Sequence, residues 1–195
     1  VNAQIEIDHE GLDVSGTTVD VIIDTDLVNA SGDSYWSEHF IVTNNTGTDG
    51  VWRIRRVKID VPAGWNDEIC WPPNFYITNN VEIHTTPASY APTIENGTSN
   101  AISSGSPAVE ADMKPQVYPN FDVPGTATYK YYIVDKDTDE HLDSVTVRYS
   151  YGVLEIESEN KVELSIAPNP ANEYVTITID GAETASVKMV DLLGN

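Results

Sequence analysis

The clearest grouping of oxygen ligands in the chain is Asp135-x-Asp137-x-Asp139. Alternating carboxylates in a tight loop are how calcium loops begin. Such a loop then needs a glycine at its sixth position and an acid at its twelfth, where Glu140 and Thr146 stand. A helix-loop-helix calcium site is therefore excluded, and no metal site is assigned. A weakly bound calcium at Asp135, Asp137 and Asp139 is the one cofactor candidate, set against an acidic, solvated hairpin tip. Asp20, Asp24 and Asp26 offer a second carboxylate row. His9, His39, His84 and His141 form no His-x-His or His-Glu-x-x-His spacing, so a zinc site would have to assemble from distant segments. There is no Gly-x-Ser-x-Gly, and no histidine is placed to activate the single cysteine, Cys70. Glycoside cleavage needs two carboxylates. Among 31 acidic residues a pair can always be chosen, so that choice carries no information. No catalytic residue is assigned, and the expectation is a protein that is not an enzyme.

Binding residues are better represented. Tyr35, Trp36, Trp65, Trp71, Tyr76 and Tyr90 are more rings than the core strands need, and several lie beside turn signals. Rings in such places stack on sugars or anchor protein interfaces, whereas Trp52 and Trp65 read as core. Arg53, Arg55, Arg56 and Lys58 crowd one segment. They pair locally with acids, or they meet the acidic surface of another copy in head-to-tail self-assembly.

The whole chain is acidic, with a formal net charge of -21 from 31 acidic and 10 basic residues. That charge repels phosphate backbones and anionic membranes, so no nucleic-acid partner is expected. No apolar run reaches membrane-spanning length. A lone cysteine excludes an internal disulfide, and it is expected as a small buried hydrophobe.

The elements that must position these residues have period two. Val19–Asp24, Tyr35–Val42, Val51–Val61, Phe75–Ile77 and Val81–His84 read as strands. In Val51–Val61 the apolar phase changes, which predicts a β-bulge near Arg55-Arg56. Pro87–Pro107 reads as a long surface loop. Pro115 argues for an edge or a break in the strand around it. Thr126–Asp135 and Ser144–Tyr151 form the clearest hairpin, with Tyr129, Tyr131 and Ile133 on one face. Roughly seven or eight short strands without helices predict an all-β, antiparallel, immunoglobulin-like β-sandwich.

The C-terminal segment speaks about destination. It reads Leu164-Ser165-Ile166-Ala167-Pro168-Asn169-Pro170, then Tyr174–Ile179, then Val187-Lys188-Met189-Val190-Asp191-Leu192-Leu193-Gly194. The two prolines remove backbone donors, so their segment lies outside any sheet interior. Val175, Ile177 and Ile179 alternate with polar residues as a half-buried strand. This order resembles the start of the C-terminal sorting domain (type A) of cargo of the type IX secretion system of Gram-negative bacteria. The sorting residues by that resemblance are Pro168, Asn169, Pro170, Asp191, Leu192 and Gly194. It implies export through the outer membrane, a secreted or outer-surface location, and the secretion machinery as partner. Residues 15–152 similarly resemble small immunoglobulin-like domains that precede such signals. Val1-Asn2-Ala3 fits the end of a signal peptide.

The expected organisation is an N-terminal segment over 1–14, an immunoglobulin-like sandwich over 15–152, a charged linker over 153–162, and an incomplete β-sandwich sorting domain over 163–195. The expected function is a non-enzymatic adhesion or structural module. Alternatives are a carbohydrate-binding module using the Trp and Tyr set and, last, an accessory domain of an extracellular hydrolase.

Overall fold

The computed structural model describes residues 5–24, 35–72, 74–119, 123–152, 163–167 and 176–180. The chain divides into two compact units, Val1–Val153 and Leu154–Asn195. Among the described residues everything regular is β, apart from one 3-10 turn at Ala88–Tyr90.

In the first unit the chain runs through β1 (Ile5–His9), β2 (Leu12–Asp13), β3 (Thr18–Ile22), β4 (Trp36–Ser37), β5 (Phe40–Asn44), β6 (Gly50–Asp60), β7 (Asn66–Trp71) and β8 (Asn74–Ile77). It continues through β9 (Ile83–Thr85), β10 (Thr93–Ile94), β11 (Asn100–Ile102), β12 (Val109–Glu110), β13 (Asp112–Tyr118), β14 (Gly125–Asp135) and β15 (His141–Tyr151). One sheet has the order β2-β1-β5-β13-β7-β8, with β4 also on β13; the other has β12-β11-β10-β6-β14-β15-β3, with β9 also on β6. The stretch β1-β5-β13-β7 is the A-B-E-D order of an immunoglobulin sandwich, and β6-β14-β15 is its C-F-G order. The all-β sandwich expected from the patterning is what forms.

Alternation builds the core between the sheets. Ala127, Tyr129, Tyr131 and Ile133 on β14 and Val145, Val147 and Tyr149 on β15 are fully buried. They join Ile7, Phe40, Val42, Trp52, Ile54, Trp65, Ile69, Trp71 and Met113 in one cluster. Each large side chain of this kind contributes roughly 1.5–3 kcal/mol when removed from water.

Four expectations are corrected. The N-terminal segment is not separate from the sandwich, because β1 pairs with β5 from Ile5↔Asn44 to Asp8↔Ile41. No bulge occurs at Arg55-Arg56. The buried phase of β6 runs unbroken through Trp52, Ile54 and Arg56, and the register slips only beyond Lys58, leaving Ile59 outside the pairing with β14. Pro87–Pro107 is not a bare loop, since β10 and β11 fold within it and bury Ile94 and Ala101. Pro115 sits inside a sheet, paired opposite Ile69. On its other side β13 changes partner, from β5 at Met113 to β4 at Gln116, and Glu38 donates its N–H to the Pro115 carbonyl. A strand residue's N–H and C=O point the same way, so the missing donor falls in the gap between two partner strands.

In the second unit β16 (Glu163–Ala167) pairs antiparallel with β17 (Thr176–Asp180), from Glu163↔Asp180 to Ala167↔Thr176. The expected signal-peptide end, linker 153–162, Pro168-Asn169-Pro170 and the segment with Asp191, Leu192 and Gly194 lie outside the described residues.

Candidate binding surface

Strand β6 splits the basic cluster between two environments. Arg53 and Arg55 share the outward phase. Arg53 Nη1 lies 3.0 Å and Arg55 Nη2 3.3 Å from Asp139 Oδ1. Arg53 Nε also donates to the Thr86 carbonyl and Arg55 Nε to Thr85 Oγ1. Arg56 takes the inward phase and is buried, its Nε 2.7 Å from Asp67 Oδ2. Its Nη1 donates to the carbonyls of Val81 at 2.6 Å and Glu82 at 3.2 Å, and its guanidinium lies 5.9 Å from the Tyr129 ring centre. Arg56 is therefore a core residue, not an interface residue as its neighbours in sequence implied. Burial pushes the Asp67 carboxyl up, against the opposing pull of Arg56 and Lys58.

The acidic tip is organised by hydrogen bonds. Asp135 Oδ1 accepts from the N–H groups of Asp137 and Thr138 and from Thr138 Oγ1. These bonds, the Thr138 N–H first, hold its carboxyl below the ordinary carboxylate range. Asp139 adopts the left-handed φ of 59° and turns to the arginines. Asp137 Oδ1 lies 3.7 Å from Lys136 Nζ, so the three carboxylates face different partners. Among the described residues no three His, Cys, Asp or Glu side chains are grouped to hold a metal ion.

The aromatic set is likewise divided. Trp71 is fully buried, and its Nε1 donates to the Trp52 carbonyl at 3.1 Å. Tyr76 is 8% exposed. Neither presents a ring to a ligand, because each continues the inward phase of its strand. Trp36 is half-buried with its Nε1 on Glu38 Oε1 at 2.6 Å. Tyr35 is half-buried and tilted against Tyr118, with ring centres 5.5 Å apart. Tyr90, on the 3-10 turn, is exposed.

Among the described residues, two shallow grooves lie on the sheet containing β1, β5, β13 and β7. The first, of about 320 Å³, is lined by Asn66, Asp67, Glu68, Ile77, Asn79, Asn80 and Tyr118. Strand pairing builds it: Tyr118 stands opposite Asn66, and Glu68 opposite Ile77. Tyr118 Oη donates to Glu68 Oε2 at 2.8 Å, and burial followed by that bond pushes the phenol up to about 12. The wall is the turn after β8, where Asn79 and Asn80 both hold left-handed φ values of 51° and 56°. Lys58 Nζ reaches this turn and binds both the backbone and side-chain oxygens of Asn80. The second groove is lined by Asp8, His9, Glu10, Gly11, Glu38, His39 and Ile41. Its imidazoles are engaged, His9 Nε2 with Glu38 Oε2 at 2.9 Å and His39 Nδ1 with Asp112 Oδ2 at 2.8 Å.

Tyr118, Glu68 and Asn66 were not legible as a group. They belong to strands far apart in sequence, and only the register of β13 on β7 brings them to one face. The Asn79-Asn80 pair was the one local signal, a turn dipeptide that tolerates left-handed φ.

No protein-family model matches the chain, and no curated protein matches it. Among solved structures, it is similar to the N-terminal domain of PorA, with a TM-score of 0.52 and 14% identity over 76% of this chain and 98% of that one. At that identity the likeness speaks for the fold alone. A family 123 glycoside hydrolase from Clostridium perfringens overlaps 77% of this chain and 27% of its own, at 11% identity and a TM-score of 0.33, too loose to bear on function.

Proposed function

We propose that the chain is a non-enzymatic binding and spacer module, secreted or displayed on the outer cell surface. In this reading the sandwich is the passenger, and the second unit is the signal that engages the type IX secretion machinery. The observation that carries it is the order of elements around Pro168-Asn169-Pro170. Strands β16 and β17 pair across that segment, which agrees with a sorting domain whose proline box joins two strands instead of occupying one. The grooves on the sandwich's described outer face support a passenger of binding type.

The test is fractionation of a type IX-competent host that makes a reporter joined to this protein's C-terminal region, from Leu154 onward as the host encodes it. The reporter is expected outside the outer membrane. Changing Pro168, Asn169 and Pro170 together to alanine is expected to hold it in the periplasm. Periplasmic retention of the unaltered fusion refutes the proposal.

A further inference from the structure

We infer that the groove between Tyr118, Glu68 and the Asn79-Asn80 turn is a binding site for a neutral carbohydrate. The inference rests on the reading of the sandwich as a binding module and is independent of the export route.

A sugar ring presents an apolar C–H face and a rim of hydroxyls that both donate and accept. The groove offers the matching set. The Tyr118 ring and the side chain of Ile77, which is 65% exposed, supply apolar surface. Asn66, Asn79 and Asn80 are exposed; the amides of Asn66 and Asn79 offer donors and an acceptor, and Asn80, whose oxygen takes Lys58 Nζ, offers its donors. Glu68 supplies acceptor oxygens. Its bond to Tyr118 Oη fixes ring and carboxylate against each other before any ligand arrives, which lowers the ordering cost of binding. A volume of about 320 Å³ is at the small end for ligand sites and fits one or two sugar units.

The charges select within the carbohydrates. Glu68 lies in the groove, and the protein carries -21 overall, so acidic sugars are repelled. Lys58 is spent on Asn80. The arrangement also points to binding without cleavage. Glycoside hydrolysis requires two carboxylates at the scissile bond. Glu68 and Asp67 are sequence neighbours on a strand, so their side chains leave opposite faces. Asp67 is locked to Arg56 in the core.

Nuclear magnetic resonance titration of the isotope-labelled chain with neutral gluco-, xylo- and manno-oligosaccharides tests this. Shifts are expected at the amides of Asn66, Glu68, Ile77 and Tyr118 with at least one of these sugars. Tyr118→Ala and Glu68→Gln are expected to weaken binding roughly tenfold or more, and Asn66→Ala, at an exposed position that folding tolerates, severalfold. Tyr132→Ala, on the other sheet, is expected to leave it unchanged. The inference is overturned by no shift with any neutral sugar, by shifts clustered elsewhere, by binding indifferent to both Glu68→Gln and Asn66→Ala, or by binding confined to acidic sugars such as oligogalacturonate. Sugar binding by a chain that stays in the periplasm would sink the export proposal and leave this one standing, and the reverse outcome would do the opposite.

Discussion

Arg56 Nε and Asp67 Oδ2 lie 2.7 Å apart, and neither side chain has any solvent exposure. The two residues come from opposite sheets, so the pair spans the sandwich core. Removing one partner leaves a buried charge unmatched, which costs about 3–5 kcal/mol. Arg56→Met is expected to lower stability by that amount in urea unfolding. Arg56→Met combined with Asp67→Leu is expected to recover most of it, because an apolar pair replaces an ionic one without stranding a charge. A single variant as stable as the parent would refute the account.

His84 stands opposite Arg56 on β9. Burial first, and the Arg56 charge second, hold its imidazole below the ordinary 6.5. The unfolded chain therefore takes up a proton more readily than the folded chain. Stability from this group is complete above about 6.5 and is lost as pH falls through that value toward the lower folded one. Urea midpoints measured down through this window are expected to fall, and to fall less steeply in His84→Gln. Equal slopes for the two proteins would contradict the assignment.

Trp71 tests the distinction between core and binding surface. Trp71→Ala is expected to cost about 3–5 kcal/mol, as for other large buried rings cut to alanine. Trp71→Phe is expected to retain part of that and to leave sugar binding at the Tyr118 groove intact. Loss of binding in a stably folded Trp71→Phe protein would return this ring to the ligand surface.

Gly50 opens β6, and a Cβ built there falls within the indole of Trp52, which is 2% exposed. Gly50→Ala is expected to destabilise by about 1–3 kcal/mol through overpacking. A neutral result in thermal unfolding would mean that the indole can rotate away.

Asp139 bridges Arg53 and Arg55, but its side chain is 54% exposed. Asp139→Asn, which removes the charge but keeps a residue that tolerates the left-handed φ of 59°, is expected to cost less than about 1 kcal/mol, with the difference shrinking in added salt. A larger, salt-insensitive loss in urea unfolding would show the turn to be structural.

Much of the sandwich was legible because alternation is local. Tyr129, Tyr131 and Ile133 announce their shared face within one strand, and the fold buries them together. Arg56 was misread for the same reason. An arginine in phase with Trp52 and Ile54 looks like a break in the pattern, and the carboxylate that makes it acceptable lies on another strand of the other sheet. Pro87–Pro107 hid Ile94 and Ala101 because turn residues surround two very short strands. Trp71 and Tyr76 looked like surface rings because prolines and turn residues flank them. The Tyr118 groove depends on pairing between distant segments, which composition and spacing do not encode.

Strand β3 joins β15 in parallel, from Thr18↔Thr146 to Ile22↔Ser150, unlike the antiparallel pairings elsewhere among the described strands. These are the early and the last strands of the sandwich. Tension applied at the start of β3 and the end of β15 draws them along their length in opposite directions, so the rungs between them are loaded together in shear and cannot open one at a time like a zipper. Forced unfolding is governed by the unfolding rate. That single pairing sets how fast the sandwich gives way when it is pulled, separately from how stable it is at equilibrium.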